Sequence, residues 1–153
     1  MTRYLEDLTV AEKRLSTAME VTEAEAVEFA RRYDPQPMHI DCEAASRGRF
    51  GGLIASGWHT AAMAMRMIVD AALLGEGDDV LGMGVDSIRW PRPVRPGDVL
   101  QAEIEIVAIR PSESQPAFGI VKMSVTVRNQ RGEVVMVFQP NCWVPRRPLV
   151  APC

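Results

Sequence analysis

Cysteine and histidine are both scarce in this chain of 153 residues. The three cysteines, Cys42, Cys142 and Cys153, are an odd number, and none are spaced as C-x-x-C. That pattern predicts neither a disulfide framework nor a zinc site. With only two histidines, His39 and His59, a histidine-rich metal site is also excluded, so we expect no metal. Such cysteine usage favours a reducing, cytoplasmic setting.

A large charge of one sign and long hydrophobic runs are missing as well. The net charge is −3, which gives no reason to expect nucleic acid as a partner. Residues 1–7 contain no apolar core of a secretory signal. The apolar run over 58–74 is too short and too charged for a good membrane span, so we expect no membrane partner. The length and an ordinary composition, 47% hydrophobic and 24% charged, predict one domain over residues 1–153.

Two main helices are predicted in the first half of the chain. Apolar residues recur at helical spacing over 22–33, and Thr22 with Glu25 three residues later is typical of a capping box. The run over 58–74 follows Ser56, a favoured N-cap residue, and is apolar on almost every side. Because such a helix is normally buried, we expect one long central helix wrapped by a sheet. Its polar exceptions fall on one stripe: His59, Arg66 and Asp70.

Strands dominate the second half. After a turn-rich break over 75–79, one strand is predicted within 80–90, and alternation predicts strands over 99–109, 117–128 and 133–144. A looser alternation predicts one more strand over 13–21. Turns are predicted at Arg95-Pro96-Gly97-Asp98, of type II, and at 129–132, in a hairpin. Helices segregated from a meander of antiparallel strands indicate an α+β domain.

The segment between the two helices carries the candidate chemistry. Two prolines flank Gln36, with Asp34 before the first proline and His39 after the second. Proline restricts its own backbone and that of the preceding residue, so we predict a stiff, bent loop that holds Asp34 and His39 at a set separation. A carboxylate and a neutral imidazole held in this way can bind one water and move its proton. For an isolated pair, the alternative is that Asp34 only ends a helix and His39 only fills a niche. Asp41 is predicted to cap a short helix over 42–46.

Several segments occur in a recognisable order, most densely between residues 29 and 57. In that order and spacing the chain resembles the MaoC-like acyl dehydratases, the hot-dog-fold (R)-specific enoyl-CoA hydratases, over roughly residues 5–145. The resemblance rests on Phe29-Ala30, Tyr33-Asp34-Pro35-Gln36-Pro37-Met38-His39-Ile40-Asp41, Ala44-Ala45, Phe50-Gly51-Gly52-Leu53-Ile54-Ala55-Ser56-Gly57 and Pro93-Val94-Arg95-Pro96-Gly97-Asp98.

The resemblance implies a single hot-dog domain, an antiparallel sheet wrapped around one long buried helix. It also implies reversible hydration of a trans-2-enoyl thioester to the (R)-3-hydroxyacyl product. Asp34 would act as general base on a water shared with His39, which holds water and shuttles protons. Either residue could deliver the second proton, to C2. The N–H of Gly57, at the positive end of the long helix, would bind the developing oxyanion. The alternative for Gly57 is that it merely starts the helix.

The chain departs from the family pattern at four positions. Gln36 stands where the family motif usually has Asn, and Met38 takes the aliphatic place before His39. Ser56 precedes Gly57 where the family often has His, and Met65 stands where some members carry a serine that supports the active-site loop. We assign no such role to Met65.

The family match also suggests substrate contacts. Trp58, His59 and Met63 follow Gly57 closely and are expected to line the acyl pocket. Arg92 and Arg95 are the preferred candidates for contacts to the phosphates of coenzyme A or of a carrier's phosphopantetheine. The alternative is that these arginines are solvated charges at strand ends. Coenzyme A or phosphopantetheine is part of the substrate here, so we expect no separate cofactor.

A sheet with an open edge indicates self-association, because exposed strand edges are normally covered. We therefore expect a homodimer or an assembly of dimers. Two other functions are compatible with the fold: a hot-dog acyl-CoA thioesterase and a non-catalytic subunit that binds acyl thioesters. The intact Asp34 and His39 in their loop disfavour both.

Overall fold

A computed structural model describes residues 1–75 and 79–148 of the chain. The predicted break over 75–79 therefore lies partly outside the described residues, and Cys153 lies wholly outside them. A short 3-10 turn, Leu5–Asp7, precedes four helices and six strands. These are β1 Lys13–Leu15, β2 Met19–Glu20, α1 Glu23–Tyr33, α2 Pro37–Ile40, α3 Cys42–Arg47, α4 Gly57–Ala71, β3 Leu81–Arg89, β4 Val99–Pro111, β5 Phe118–Arg128 and β6 Val134–Pro145. No helix within 1–75 and 79–148 is long and apolar enough to cross a membrane.

The strands form one antiparallel sheet in the order β1-β4-β5-β6-β3, with β2 also paired to β4. The meander prediction is confirmed for β4, β5 and β6. It is wrong for β3, which pairs with β6 rather than with β4, its neighbour in the chain. Proline-rich residues 91–96 between β3 and β4 make a tight hairpin there impossible. β3 is consequently an edge strand.

The predicted strand over 13–21 is interrupted at Ser16. The Oγ of Ser16 accepts the N–H of Ala102 on β4 at 3.0 Å. A side-chain oxygen thus takes the place of a backbone carbonyl, and the ladder resumes only at Met19. The two turns are as predicted: Gly97 and Gly132 have φ of +92° and +75°, a left-handed conformation that favours glycine.

The core lies between α4 and one face of the sheet. On β4, Leu100, Ala102, Ile104 and Ile106 are buried in alternation, and β5 and β6 repeat the pattern. α4 contributes Met63, Ala64, Met67 and Ile68 to the same cluster. Burying one such large side chain stabilises the fold by about 1.5–3 kcal/mol. The prediction of a long helix packed on a sheet is therefore confirmed for this face of α4.

The other face of α4 is open, contrary to the expectation of a helix buried all round. Trp58, Met65 and Val69 are 59%, 53% and 60% exposed. Arg66 and Asp70 form an ion pair at 2.7 Å on this open side. His59 lies on the same stripe but is buried, because α1 covers the beginning of α4 and Phe29 stacks on the imidazole.

Candidate active site

The residues of the proposed site lie where three helices meet. Asp34 is the C-cap of α1, His39 lies on α2, and Ser56 and Gly57 begin α4. The prediction of a loop between the prolines needs correction, since Pro37 starts a helical turn that carries His39. Proline is tolerated at that first position because its missing N–H would have no partner in the helix. Asp41 caps α3 as predicted, with its carboxylate accepting from two backbone N–H groups at 3.0 Å.

Asp34 and His39 are brought together as the spacing predicts. The distance between Asp34 Oδ2 and His39 Nε2 is 3.4 Å. The His39 side chain is only 5% exposed and that of Asp34 is 19% exposed. The imidazole is thus shielded, while the carboxylate keeps access to the cavity.

The imidazole of His39 is oriented by a backbone carbonyl. His39 Nδ1 lies 2.7 Å from the oxygen of Ile54. A carbonyl can only accept, so Nδ1 carries the proton and donates it. In the neutral imidazole, the Nε2 lone pair then faces the carboxylate of Asp34. Two acceptors at this distance can share one donor, such as a water that lies to one side of the line between them and donates a hydrogen bond to each.

The carboxylate of Asp34 accepts hydrogen bonds at both oxygens. The hydroxyl of Ser56 donates to Oδ2 at 2.6 Å, and Nε2 of Gln36 donates to Oδ1 at 2.7 Å. These two bonds, with Ser56 the larger contributor, hold the pKa of Asp34 below its usual range. Asp34 is therefore ionised at neutral pH. Gln36, which stands where the family pattern has Asn, supports the carboxylate directly.

The beginning of α4 faces the same space. Ser56 is the N-cap, and its Oγ accepts the N–H of Trp58 at 3.3 Å. Gly57 is the first residue of the helix, so its N–H has no partner within the helix. The positive end of the helix dipole therefore lies beside the ionised Asp34.

Asp34, Gln36, His39 and Gly57 line one cavity of about 390 Å³. That volume is in the range of small-molecule sites. Trp58 and Trp90 meet edge to face at 5.3 Å between ring centres and form part of its wall. The lining also includes Met38, Phe50, Ile54, Thr60, Pro91, Arg92 and Val94.

Only some of the residues predicted to contact the substrate line the cavity. Trp58 and Arg92 line the cavity, and Arg92 also pairs with Glu133 at 3.1 Å. His59 and Met63 are not among the described lining residues, because both turn towards the interior: His59 stacks on Phe29 and Met63 joins the core.

Arg95 also lies outside the described lining of the cavity. Its guanidinium donates to the carbonyl of Phe50 at 2.6 Å and so braces the segment Phe50-Gly51-Gly52. Two other arginines, Arg146 and Arg147, pair with Glu6 and Asp7 at the surface.

Two residues of the site were missed by sequence reasoning. Trp90 was given no role in the site, yet it lines the cavity. Ser56 was assigned only a capping role, yet it also contacts Asp34. The family pattern offered a signal for Ser56, since it occupies the position before Gly57 where a histidine is frequent.

Comparison with known proteins connects this chain to one family. A family model described as MaoC like domain matches residues 8–129. The uncharacterized protein YdeM of Bacillus subtilis (strain 168) is 30% identical over 127 residues, which cover 83% of this chain and 88% of that protein. The crystal structure of the MaoC-like dehydratase from Rhodospirillum rubrum is 45% identical, with a TM-score of 0.88 over 96% of this chain and 99% of that chain. The (R)-hydratase from A. caviae involved in PHA biosynthesis is 26% identical, with a TM-score of 0.76 over 92% and 99% of the two chains.

Proposed function

The chain belongs to the MaoC-like domain family, with the hot-dog fold, and on that premise we propose that it is a hydro-lyase acting on acyl thioesters. Its reaction is the reversible hydration of a trans-2-enoyl thioester to the (R)-3-hydroxyacyl thioester. The observation that carries the proposal is the pair Asp34 Oδ2 and His39 Nε2, 3.4 Å apart at a cavity that also reaches the start of α4. That arrangement supplies a proton acceptor and an anion-stabilising dipole to the same bound molecule.

A water that lies beside the two side chains and donates to both is the nucleophile in the proposed mechanism. With Nδ1–H bound to the Ile54 carbonyl, His39 Nε2 accepts one water proton and Asp34 Oδ2 accepts the other. The water oxygen then points a lone pair away from both, towards C3 of the substrate. Asp34 takes the proton as the O–C3 bond forms, and the double-bond electrons move onto the thioester oxygen.

The proton lost by the water returns to C2. In this tautomer His39 Nε2 carries no proton of its own, so whichever side chain protonates C2 must first have received that proton from the water. The net change is addition of H and OH across the double bond, with no proton gained or lost by the protein. A positioned acid–base group of this kind contributes about 10²–10⁴ in rate.

The negative charge on the thioester oxygen requires a donor. The N–H of Gly57, together with the dipole of α4, supplies it in the proposed mechanism. Donors fixed in advance towards such an oxyanion are worth roughly 3–4 kcal/mol each. Trp58 and Trp90 provide an apolar wall for the acyl portion, and Arg92 offers a cation for the phosphates of coenzyme A or phosphopantetheine.

A homodimer is part of the proposal. The apolar side chains of Leu81, Met83 and Val85 on the edge strand β3 are 59%, 47% and 50% exposed. A second copy that joins its own β3 would pair the open backbone groups and cover these side chains. Trp58, Met65 and Val69 extend the apolar surface along α4.

The experiment is a panel of enoyl-CoA thioesters of different length, followed by loss of the absorbance of the conjugated double bond. We expect the absorbance to fall to an equilibrium level, because hydration is reversible, and the (R)-3-hydroxyacyl product to form. A parallel assay for free thiol distinguishes the thioesterase alternative. Thiol release with no loss of the double bond would overturn the proposal in favour of hydrolysis. No reaction in either assay, with thioester binding, would favour the non-catalytic subunit.

A further inference from the structure

We infer that Ser56 is a positioning residue that fastens the Asp34 carboxylate to the first turn of α4, so that base and oxyanion donor keep a fixed geometry. The inference rests on the proposed hydratase function. Ser56 is completely buried. Its single hydroxyl connects two elements that are 22 residues apart in the chain, since it donates to Asp34 Oδ2 at 2.6 Å and accepts from Trp58 N at 3.3 Å.

The direction of both hydrogen bonds follows from the partners. An ionised carboxylate can only accept, so the hydroxyl proton must lie on the Asp34 side. A backbone N–H can only donate, so the Trp58 amide must use a lone pair of Oγ. Both hydrogen bonds therefore point the same way, from the Trp58 N–H to Ser56 Oγ and from the Ser56 hydroxyl to the Asp34 carboxylate. Each bond polarises the other. A hydroxyl fixed at both ends has no freedom to turn away.

The bond falls on the oxygen that matters for the reaction. Asp34 Oδ2 accepts from Ser56 and is also the oxygen that lies 3.4 Å from His39 Nε2. Ser56 thus occupies one acceptor direction of Oδ2 and leaves another for the water. Gln36 restrains only the opposite oxygen and is exposed, so it restrains the carboxylate less.

Two effects of Ser56 on Asp34 can be measured separately. The first is positional: loss of the hydroxyl frees the carboxylate to rotate, and we expect kcat to fall roughly 10-fold to 10²-fold, as small displacements of catalytic groups do. The second is electrostatic: the hydroxyl stabilises the charged carboxylate, so its removal raises the pKa of Asp34. The acid limb of the kcat/KM profile then moves to higher pH.

Loss of the helix cap is the competing explanation and has its own control. Ser56→Ala removes both the cap and the contact with Asp34, whereas Ser56→Gly keeps a residue type that is nearly as good as an N-cap. Ser56→Thr retains the hydroxyl and should rescue both effects. Thr22→Ala deletes the matching N-cap oxygen of α1, which accepts from Glu25 N and does not contact Asp34. A pure capping effect lowers the melting temperature of the Ser56→Ala and Thr22→Ala variants without moving the pH profile.

The test combines the pH profile of hydration with a ¹³C NMR titration of the Asp34 carboxyl, which needs no activity. We expect a raised Asp34 pKa and a displaced acid limb in Ser56→Ala and Ser56→Gly, and neither change in Ser56→Thr or Thr22→Ala. An unchanged Asp34 pKa in Ser56→Ala, or an equal change in Thr22→Ala, overturns the inference. If the wild type hydrates no enoyl thioester while the NMR shift is present, the proposed function fails and the Ser56–Asp34 bond stands.

Discussion

The indole of Trp90 covers Gly57 so closely that a β-carbon built on Gly57 would lie 2.8 Å from Cε2 and 3.0 Å from Cδ2 of that ring. Side chains do not approach a ring that closely, so glycine is required here by its neighbour and not by its own backbone angles. The same ring meets Trp58 edge to face. Any larger residue at position 57 must therefore displace the aromatic wall of the cavity.

This contact changes how the oxyanion role of Gly57 has to be tested. In the native chain, Gly57→Ala and Gly57→Pro would both move Trp90, which would hide the loss of the N–H. We therefore place both changes in a Trp90→Ala background. There, Gly57→Ala keeps the donor and should retain the turnover of the Trp90→Ala parent. Gly57→Pro lacks the donor and should lose a further 10²–10³-fold, roughly, mainly in kcat.

Steady-state kinetics of Trp90→Ala and of its two double variants, with Gly57→Ala and with Gly57→Pro, test the oxyanion role. Proline is tolerated in the first turn of a helix, so the melting temperature should change little between the two double variants. Equal turnover in both double variants would show that another group holds the thioester oxygen.

Asp34→Asn tests the base itself. The amide keeps the shape of the side chain but cannot take a proton from water. We expect hydration to fall by at least about 10²-fold, with the circular dichroism spectrum and melting temperature preserved. Asp41→Asn is the matched control, because Asp41 caps α3 and asparagine caps a helix equally well. Near-native turnover in Asp34→Asn would refute the mechanism, as would an equal loss in Asp41→Asn.

Features set by neighbouring residues were predictable from the sequence. The starts of α1, α3 and α4 were placed correctly because Thr22, Asp41 and Ser56 each bond to N–H groups two or three residues ahead. The strands β4, β5 and β6 follow from period-two alternation for the same local reason. The approach of Asp34 to His39 was also readable, since only four residues separate them.

Features set by distant packing were not predictable. The pairing of β3 with β6 joins segments more than 40 residues apart in sequence, and no local pattern marks it. Trp90 reaches Gly57 across 33 positions, and Ser56 reaches Asp34 across 22. His59 was expected to line the acyl pocket, but α1 covers it and Phe29 stacks on its ring. Helical spacing fixes the direction of a side chain but not what covers it.

Self-association through β3 makes a prediction for solution mass. Light scattering of the wild type at micromolar concentration should give twice the mass of one chain, or a multiple of that. Met83→Glu puts a charge among the exposed apolar side chains of β3 and should shift the mass towards one chain. Val10→Glu is the control, since Val10 is also exposed, at 52%, but lies outside β3. An active wild-type monomer would contradict the dimer.

The buried imidazole of His59 predicts how stability depends on pH. His59 is 8% exposed, stacks on Phe29 at 5.0 Å, and its Nδ1 has no hydrogen-bond partner among the described residues. Burial lowers the pKa of His59, although Glu25 acts weakly in the opposite direction.

In the unfolded chain, His59 consequently has its ordinary pKa of about 6.5. Just below that pH, the unfolded chain binds a proton at His59 and the folded chain does not. The free energy of unfolding must then fall as the pH falls below about 6.5, because the unfolded state binds more protons there. The lowered pKa of Asp34 acts in the same direction only near and below about pH 4, its ordinary range, so a window from pH 7.5 to 5 isolates histidine.

We expect the melting temperature of the wild type to drop across that window. His59→Phe and His59→Leu, which fill the site without a titrating group, should drop less. His39 is present in all three proteins and cancels in the comparison. If the three curves ran parallel, His59 would be neutral or charged alike in both states, and its burial would carry no pH dependence.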